Sequence, residues 1–128
     1  MAQRNFEIIV EWLDVMNSWN ERRLEAFVTS NYSNTYRSSS TRVDGTTAYF
    51  TYQELIPTYK KWFSLKTKWR EVNIISFSIT GVEVLFTMAW PSGKTYKVRC
   101  VFQFADGKIV AGSWNPASFM RSQLIIIH

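Results

Sequence analysis

The sequence predicts a single α+β domain, with helices from its first half covering one face of an antiparallel sheet of four or more strands from its second half. Three observations predict it. Apolar residues recur at helical spacing as far as Phe63, and from Trp69 onward they alternate with polar ones. The alternating half is also cut by turn signals at Gly81, Pro91-Ser92-Gly93 and Asp106-Gly107. A chain of 128 residues that is 46% hydrophobic and 16% aromatic suits one core, not two domains or a disordered chain. The domain then fills residues 1–128, with a core over 4–118 and an apolar tail over 119–128.

Residues 4–18 predict the first helix. Phe6, Ile9, Val10, Leu13 and Met16 form one apolar stripe, Ile8, Trp12, Val15 and Trp19 a second, and Glu7, Glu11, Asp14 and Ser18 the polar strip. A helix apolar on two faces needs cover on two sides. Asn20 is placed to cap a short second helix carrying Leu24, Phe27 and Val28. Tyr32, Asn34 and Tyr36 alternate with Ser33, Thr35 and Arg37 as a short strand, and Ser38 to Thr47 reads as a polar loop turning at Asp44-Gly45. Thr51 and Glu54 have capping-box spacing ahead of Leu55, Ile56, Tyr59, Trp62 and Phe63. Pro57 either kinks a helix running from residue 52 or sits in the first turn of one that starts later.

Strands follow over residues 69–79, Val82 to Trp90, Tyr96 to Phe104 and Lys108 to Trp114, with Asp106-Gly107 the strongest hairpin signal in the chain. Val82, Val84, Phe86 and Met88 share an apolar face with Val98, Cys100, Phe102 and Phe104, so the opposite face is the more polar one. On it, Glu83 and Arg99 are expected as an exposed cross-strand ion pair. Leu85 and Val101 soften that polarity and hint at a partner.

Several function classes are set aside by composition. No apolar run approaches the roughly 20 residues that span a bilayer, and Glu7 and Glu11 break the N-terminal apolar stretch, against a signal peptide. The lone Cys100 allows no internal disulfide and fits a reducing compartment, so a soluble, cytoplasmic protein is expected. The net charge of +5 raises nucleic acid as a partner, and KKWFSLKTKWR interleaves Lys60, Lys61, Lys66, Lys68 and Arg70 with Trp62, Phe63 and Trp69. The rings recur at helical spacing, which favours a helix end with its lysines in water, and nucleic acid is not expected. Metal-ligand spacing and a Gly-rich phosphate loop are both absent, so neither metal nor cofactor is expected. The only histidine is His128, the last residue, which leaves histidine-based acid–base and triad chemistry without its central group.

The order helix, short helix, short strand, loop, helix and long meander, with VMNSWNERRLEAFV near the start and FQFADGKIVAGSW near the end, resembles the nuclear transport factor 2-like family. That group includes the SnoaL-like polyketide cyclases and the ketosteroid isomerases. The resemblance covers residues 4–118 and implies a strongly curved, cystatin-like sheet around the first helix, with a cone-shaped pocket and Trp114 at its rim. The positions that match the isomerases' acid–base groups hold Trp12, Tyr36 and Cys100, and Asn115 to Ser118 holds no carboxylate where the cyclases carry one. A phenol with a pKa near 10 is a poor base at neutral pH, and a thiol is a weak donor. No catalytic residue is therefore expected.

What the resemblance leaves is a pocket for a small apolar or aromatic molecule. Trp12, Tyr32, Tyr36, Trp62, Trp90 and Trp114 would supply its rings, with Tyr36 and Asn115 as hydrogen-bond partners. The alternatives are an isomerase, cyclase or dehydratase that acts on a small apolar substrate through other residues, and a dimerisation or scaffold module. The tail ends in Leu124, Ile125, Ile126 and Ile127, each of which gains roughly 1.5–3 kcal/mol on burial. Together with Leu85, Val101 and the pairing habit of the family, it implies a homodimer through the outer sheet face and the C-terminal tail, the alternative being a tail that packs on its own domain as an added edge strand.

Overall fold

The structure is a computed structural model that describes residues 2–42 and 44–117; the apolar tail over 119–128, with His128, lies outside the described residues. Two helices lead, α1 (Ala2–Ser18) and α2 (Glu21–Asn31). Between them Trp19 turns the chain at φ 54°, and its Nε1 donates to the Thr67 carbonyl at 2.6 Å. The Asn20 side chain accepts from Arg23 N and caps α2. β1 (Tyr32–Thr41) and β2 (Thr47–Thr51) follow, then α3 (Tyr52–Ser64). The meander is β3 (Lys68–Phe77), β4 (Gly81–Ala89), β5 (Thr95–Ala105) and β6 (Lys108–Pro116).

The strands make one six-stranded sheet in the order β2-β1-β6-β5-β4-β3, antiparallel throughout except where β1 runs parallel to β6. Register shifts in β1, in β3 and between β5 and β6 mark bulges, which strengthen the twist and curve the sheet over the helices. α1 packs on β3 and β4, and α3 on β1 and β2. Trp12 is fully buried at the centre. Its ring centroid lies 5.2–6.3 Å from those of Tyr59, Trp69, Phe86, Phe102 and Trp114.

Two asparagines tie α1 to the sheet. Asn17 Oδ1 accepts from Trp69 N at 2.8 Å while its Nδ2 donates to Trp69 O at 3.0 Å, satisfying backbone groups of an edge strand. Asn5, buried, donates to the carbonyls of Ser78 and Ile79 and so holds the β3–β4 turn. Val10, expected on an apolar stripe, is exposed instead.

Two further expectations change, and one open alternative is decided. Ser38 to Thr47 is not a loop: β1 continues to Thr41, β2 starts at Thr47, and only 42–46 turns, with Gly45 at φ 90°. The pairing of β1 with both β2 and β6 gives its backbone partners whatever its side chains are. Pro57 sits inside a helix that begins at Tyr52, because Glu54 closes the start by accepting from Thr51 N. Arg99 does bond Glu83, but the pair is half-buried, with side chains 26% and 22% exposed. It also runs diagonally, since Leu85 is the residue opposite Arg99.

The basic segment is occupied locally. Lys60 pairs with Glu21 and Glu25 of α2, and the ammonium groups of Lys66 and Lys68 lie 4.9 and 4.4 Å from the Trp19 ring centre. Among the described residues no helix is long and apolar enough to cross a membrane.

Candidate functional site

Tyr36, Ser38 and Ser40 alternate along β1 and so share one face of the sheet. On α3, Leu55, Thr58, Tyr59 and Trp62 recur at helical spacing and form a facing wall. Met88 and Trp90 at the end of β4, Tyr96 and Val98 at the start of β5, and Trp114 of β6 complete the enclosure. Together they bound a cavity of about 420 Å³. Thr41, Phe50, and the exposed Arg42 and Glu54 also line it, and exposure puts the last two at its mouth.

Trp114 faces inward because of the last bulge. The Asp106-Gly107 turn has both residues at positive φ, 52° and 74°, as a tight two-residue hairpin requires. Past it, Phe104 pairs with Ile109 but Gln103 with Ala111, so Val110 is the extra residue. That insertion reverses the alternation, and Ile109 and Trp114 both end up buried. Trp114 lies 5.6 Å from Trp62 and 5.7 Å from Phe86, centroid to centroid.

Four buried side-chain polar atoms lack a partner among the described residues, Trp12 Nε1, Tyr36 Oη, Thr67 Oγ1 and Trp69 Nε1, and of these residues Tyr36 lines the cavity. It is 1% exposed, and its hydroxyl lies over Gly112, where a Cβ would come within 2.6 Å of the phenol oxygen and 3.5 Å of Trp114 Nε1. Glycine is what leaves room for that oxygen. Burial pushes the phenol pKa well above its ordinary value, so Tyr36 is a neutral donor and not a base at physiological pH. Ser38 and Trp114 lie near enough to the hydroxyl to soften that shift by hydrogen bonding, but neither reaches it with good hydrogen-bond geometry, and by that measure it has no partner among the described residues. A buried hydroxyl left unsatisfied costs about 1–3 kcal/mol. Tyr59, by contrast, is matched: its hydroxyl lies 3.2 Å from that of Tyr32. Desolvation raises the pKa of both phenols.

Of the residues singled out in the sequence, Tyr36, Trp62, Trp90, Trp114 and Asn115 line the cavity; Trp12 and Tyr32 do not. Both of those are packed behind it, Trp12 among five rings and Tyr32 against Phe27 and Tyr36. The Asn115 side chain donates to Ser113 Oγ at 3.1 Å, and Asn115 pairs with Arg99, whose side chain is on the opposite face from Trp114. Cys100 is fully buried opposite Trp114, its thiol pKa raised by desolvation, and it does not touch the cavity.

Sequence reasoning missed Ser38, Ser40, Arg42, Thr58 and Tyr59. The signal was present for most of them: Ser38 and Ser40 continue the alternation begun at Tyr36, and Leu55, Thr58, Tyr59 and Trp62 are spaced as one helix face. The lining carboxylate is Glu54, whose Oε1 accepts from both Thr51 N and Thr51 Oγ1 at 3.0 Å. Among the described residues no three of His, Cys, Asp and Glu gather as metal ligands.

No protein-family model matches the sequence, and no curated protein matches it. Solved structures do. A nuclear transport factor 2-like protein of unknown function from Mesorhizobium loti aligns at a TM-score of 0.70 and 12% identity, over 90% of this chain and 92% of that one. A candidate polyketide cyclase from Xanthomonas campestris aligns at 0.67 and 11% identity, over 89% and 90%. A candidate isomerase of the SnoaL-like family from Agrobacterium tumefaciens aligns at 0.65 and 10% identity, over 89% and 97%. At such identities the likeness is one of fold. The chain has the nuclear transport factor 2-like, SnoaL-like fold.

Proposed function

We propose that the chain binds a small, largely apolar aromatic molecule in this cavity, with Tyr36 donating the hydrogen bond that orients it. One observation carries the reading: a cavity lined by Tyr36, Tyr59, Trp62, Met88, Trp90 and Trp114, with Ser38, Ser40, Thr58 and Asn115 among its few polar groups, beside which the buried Tyr36 hydroxyl has no partner among the described residues. Apolar pockets with a few placed polar groups suit such ligands, and an oxygen kept unsatisfied at a cost of about 1–3 kcal/mol makes sense where a ligand satisfies it. Two structural neighbours are described as a candidate polyketide cyclase and a candidate isomerase of the SnoaL-like family, in keeping with that cavity. Catalysis through Glu54 is the weaker reading, because that carboxylate is exposed at the mouth and its Oε1 is already bonded to Thr51 at the start of α3.

Titration with 2-acetylnaphthalene, a flat aromatic ketone, tests the proposal through quenching of Trp62, Trp90 and Trp114. Saturable quenching that weakens in both Trp114→Ala and Tyr36→Phe supports it. Quenching that neither substitution changes places the ligand elsewhere.

Pairing of two copies through the outer sheet face belongs to the same proposal. Leu85 and Val101 are half-buried on that face beside the Glu83–Arg99 pair. Sedimentation at micromolar concentration tests it: a 15.0 kDa species would remove the dimer.

A further inference from the structure

The cavity differs at its two ends, and the difference bears on what it holds. At the inner end the Tyr36 hydroxyl sits over Gly112, which pairs with Ser38. Arg42 directly follows β1, four residues beyond Ser38, so the backbone at the two ends is about 13 Å apart along the strand direction.

Arg42 is held in place by its turn. Its backbone N–H donates to Thr46 O at 2.8 Å and its Nη1 to Thr46 Oγ1 at 3.1 Å. Thr46 in turn donates to Asp44 Oδ1 through both its backbone and its hydroxyl, at 2.9 and 2.7 Å. Asp44 Oδ1 is thus bonded to Thr46. Those bonds first, and the Arg42 charge with them, lower the Asp44 pKa, and Glu54 shares the mouth. Even so, among the described residues no carboxylate lies within ion-pair distance of Arg42. A guanidinium has five N–H donors in a planar fork, and the turn uses one. Between the two ends the walls are mostly rings and aliphatic groups, including Tyr59, Trp62, Met88 and Trp114, with the hydroxyls of Ser40 and Thr58 among them; such walls accept a flat, largely hydrocarbon body and not a charge.

We infer that the ligand is an elongated aromatic acid, with an acceptor such as a carbonyl against Tyr36 and a carboxylate at the mouth against Arg42. The inference rests on the reading of the cavity as a ligand site. It adds length and charge to that reading: two or three rings in a row and one anionic end. Arginine suits a carboxylate because its fork makes two parallel hydrogen bonds to the two oxygens.

Three probes test it by tryptophan quenching at low salt: 4′-acetylbiphenyl-4-carboxylate, the corresponding 4-carboxamide, and biphenyl-4-carboxylate without the acetyl group. The acetyl acid is expected to bind about three- to fivefold more tightly than the amide, as an exposed charge-assisted pair does over a neutral one, and the ratio falls as salt is added. Arg42→Gln brings that ratio close to one. Tyr36→Phe instead erases the preference for the acetyl acid over biphenyl-4-carboxylate. If acid and amide bind alike, or if Arg42→Gln leaves their ratio intact, the carboxylate assignment is wrong while the aromatic site survives. If none of the three quenches, the binding site itself is wrong.

Discussion

Replacing Tyr36 with phenylalanine separates a ligand-binding hydroxyl from a tyrosine that merely fills the core. The ring is buried and meets Tyr32 edge-on at 4.9 Å, a contact that phenylalanine keeps. Only the oxygen is lost, and it has no hydrogen-bond partner among the described residues. Removing a buried, unsatisfied hydroxyl relieves about 1–3 kcal/mol of desolvation, so the ligand-free Tyr36→Phe protein is expected to gain up to that much stability. For a domain of this length each kcal/mol raises Tm by about 3–5 °C. The same change removes the inner anchor and leaves the ligand's acceptor unpaired. That costs about 1–3 kcal/mol of binding, or about five- to a hundredfold in Kd. Urea unfolding of both proteins, with and without 4′-acetylbiphenyl-4-carboxylate, reads the two effects together. Ligand-free stability should rise while stabilisation by ligand falls. A ligand-free variant that loses more than about 1 kcal/mol would show that the hydroxyl is a matched core group, and an unchanged Kd would show that it does not touch the ligand.

Other consequences follow from the same geometry. Gly112→Ala puts a Cβ 2.6 Å from the Tyr36 oxygen and is expected to cost about 1–3 kcal/mol. Adding Tyr36→Phe should recover most of it, because the next ring atom, Cζ, is at an ordinary 3.5 Å; a double mutant as unstable as Gly112→Ala alone would contradict this. Asn17→Ala deletes the bonds at 2.8 and 3.0 Å to Trp69 and should cost about 2–3 kcal/mol, with faster amide exchange at Trp69; unchanged urea unfolding would count against the clamp. Tyr32, Tyr36 and Tyr59 all have pKa values raised by burial, so the folded state holds these protons after the unfolded chain has lost them. The stability they contribute is complete below about pH 10 and falls by about 1.4 kcal/mol per pH unit per phenol above it, about 4 for the three. Phenolate absorbance from these three should therefore appear only with unfolding, and its appearance in folded protein at pH 11 would refute their burial.

The elements were legible where chemistry and period agree. The first helix, the Asn20 cap, the Thr51–Glu54 box and the Asp106-Gly107 hairpin are all local signals, and the structure carries each of them. The rest depends on partners distant in sequence. Ser38 to Thr41 reads as loop because its side chains are polar, yet it is a strand through its pairing with β2 and β6. The orientation of Trp114 turns on one extra residue, Val110, which no alternation rule announces. Trp12 and Tyr32 could not be told from Trp62 and Trp90 by type, since a core and an aromatic cavity select the same side chains. Asn17 and Trp19, part of the motif near the start, turn out to hold β3 and the Thr67 backbone in place, so that motif marks the fold and not its chemistry.

A crystal structure of the protein with 4′-acetylbiphenyl-4-carboxylate tests the central claim most directly. The account predicts the rings between Trp62 and Trp114, with the acetyl oxygen in hydrogen-bonding distance of the Tyr36 hydroxyl. Density for the probe outside the cavity, or inside it with the Tyr36 hydroxyl turned to Ser38 and the acetyl oxygen unpaired, would contradict it.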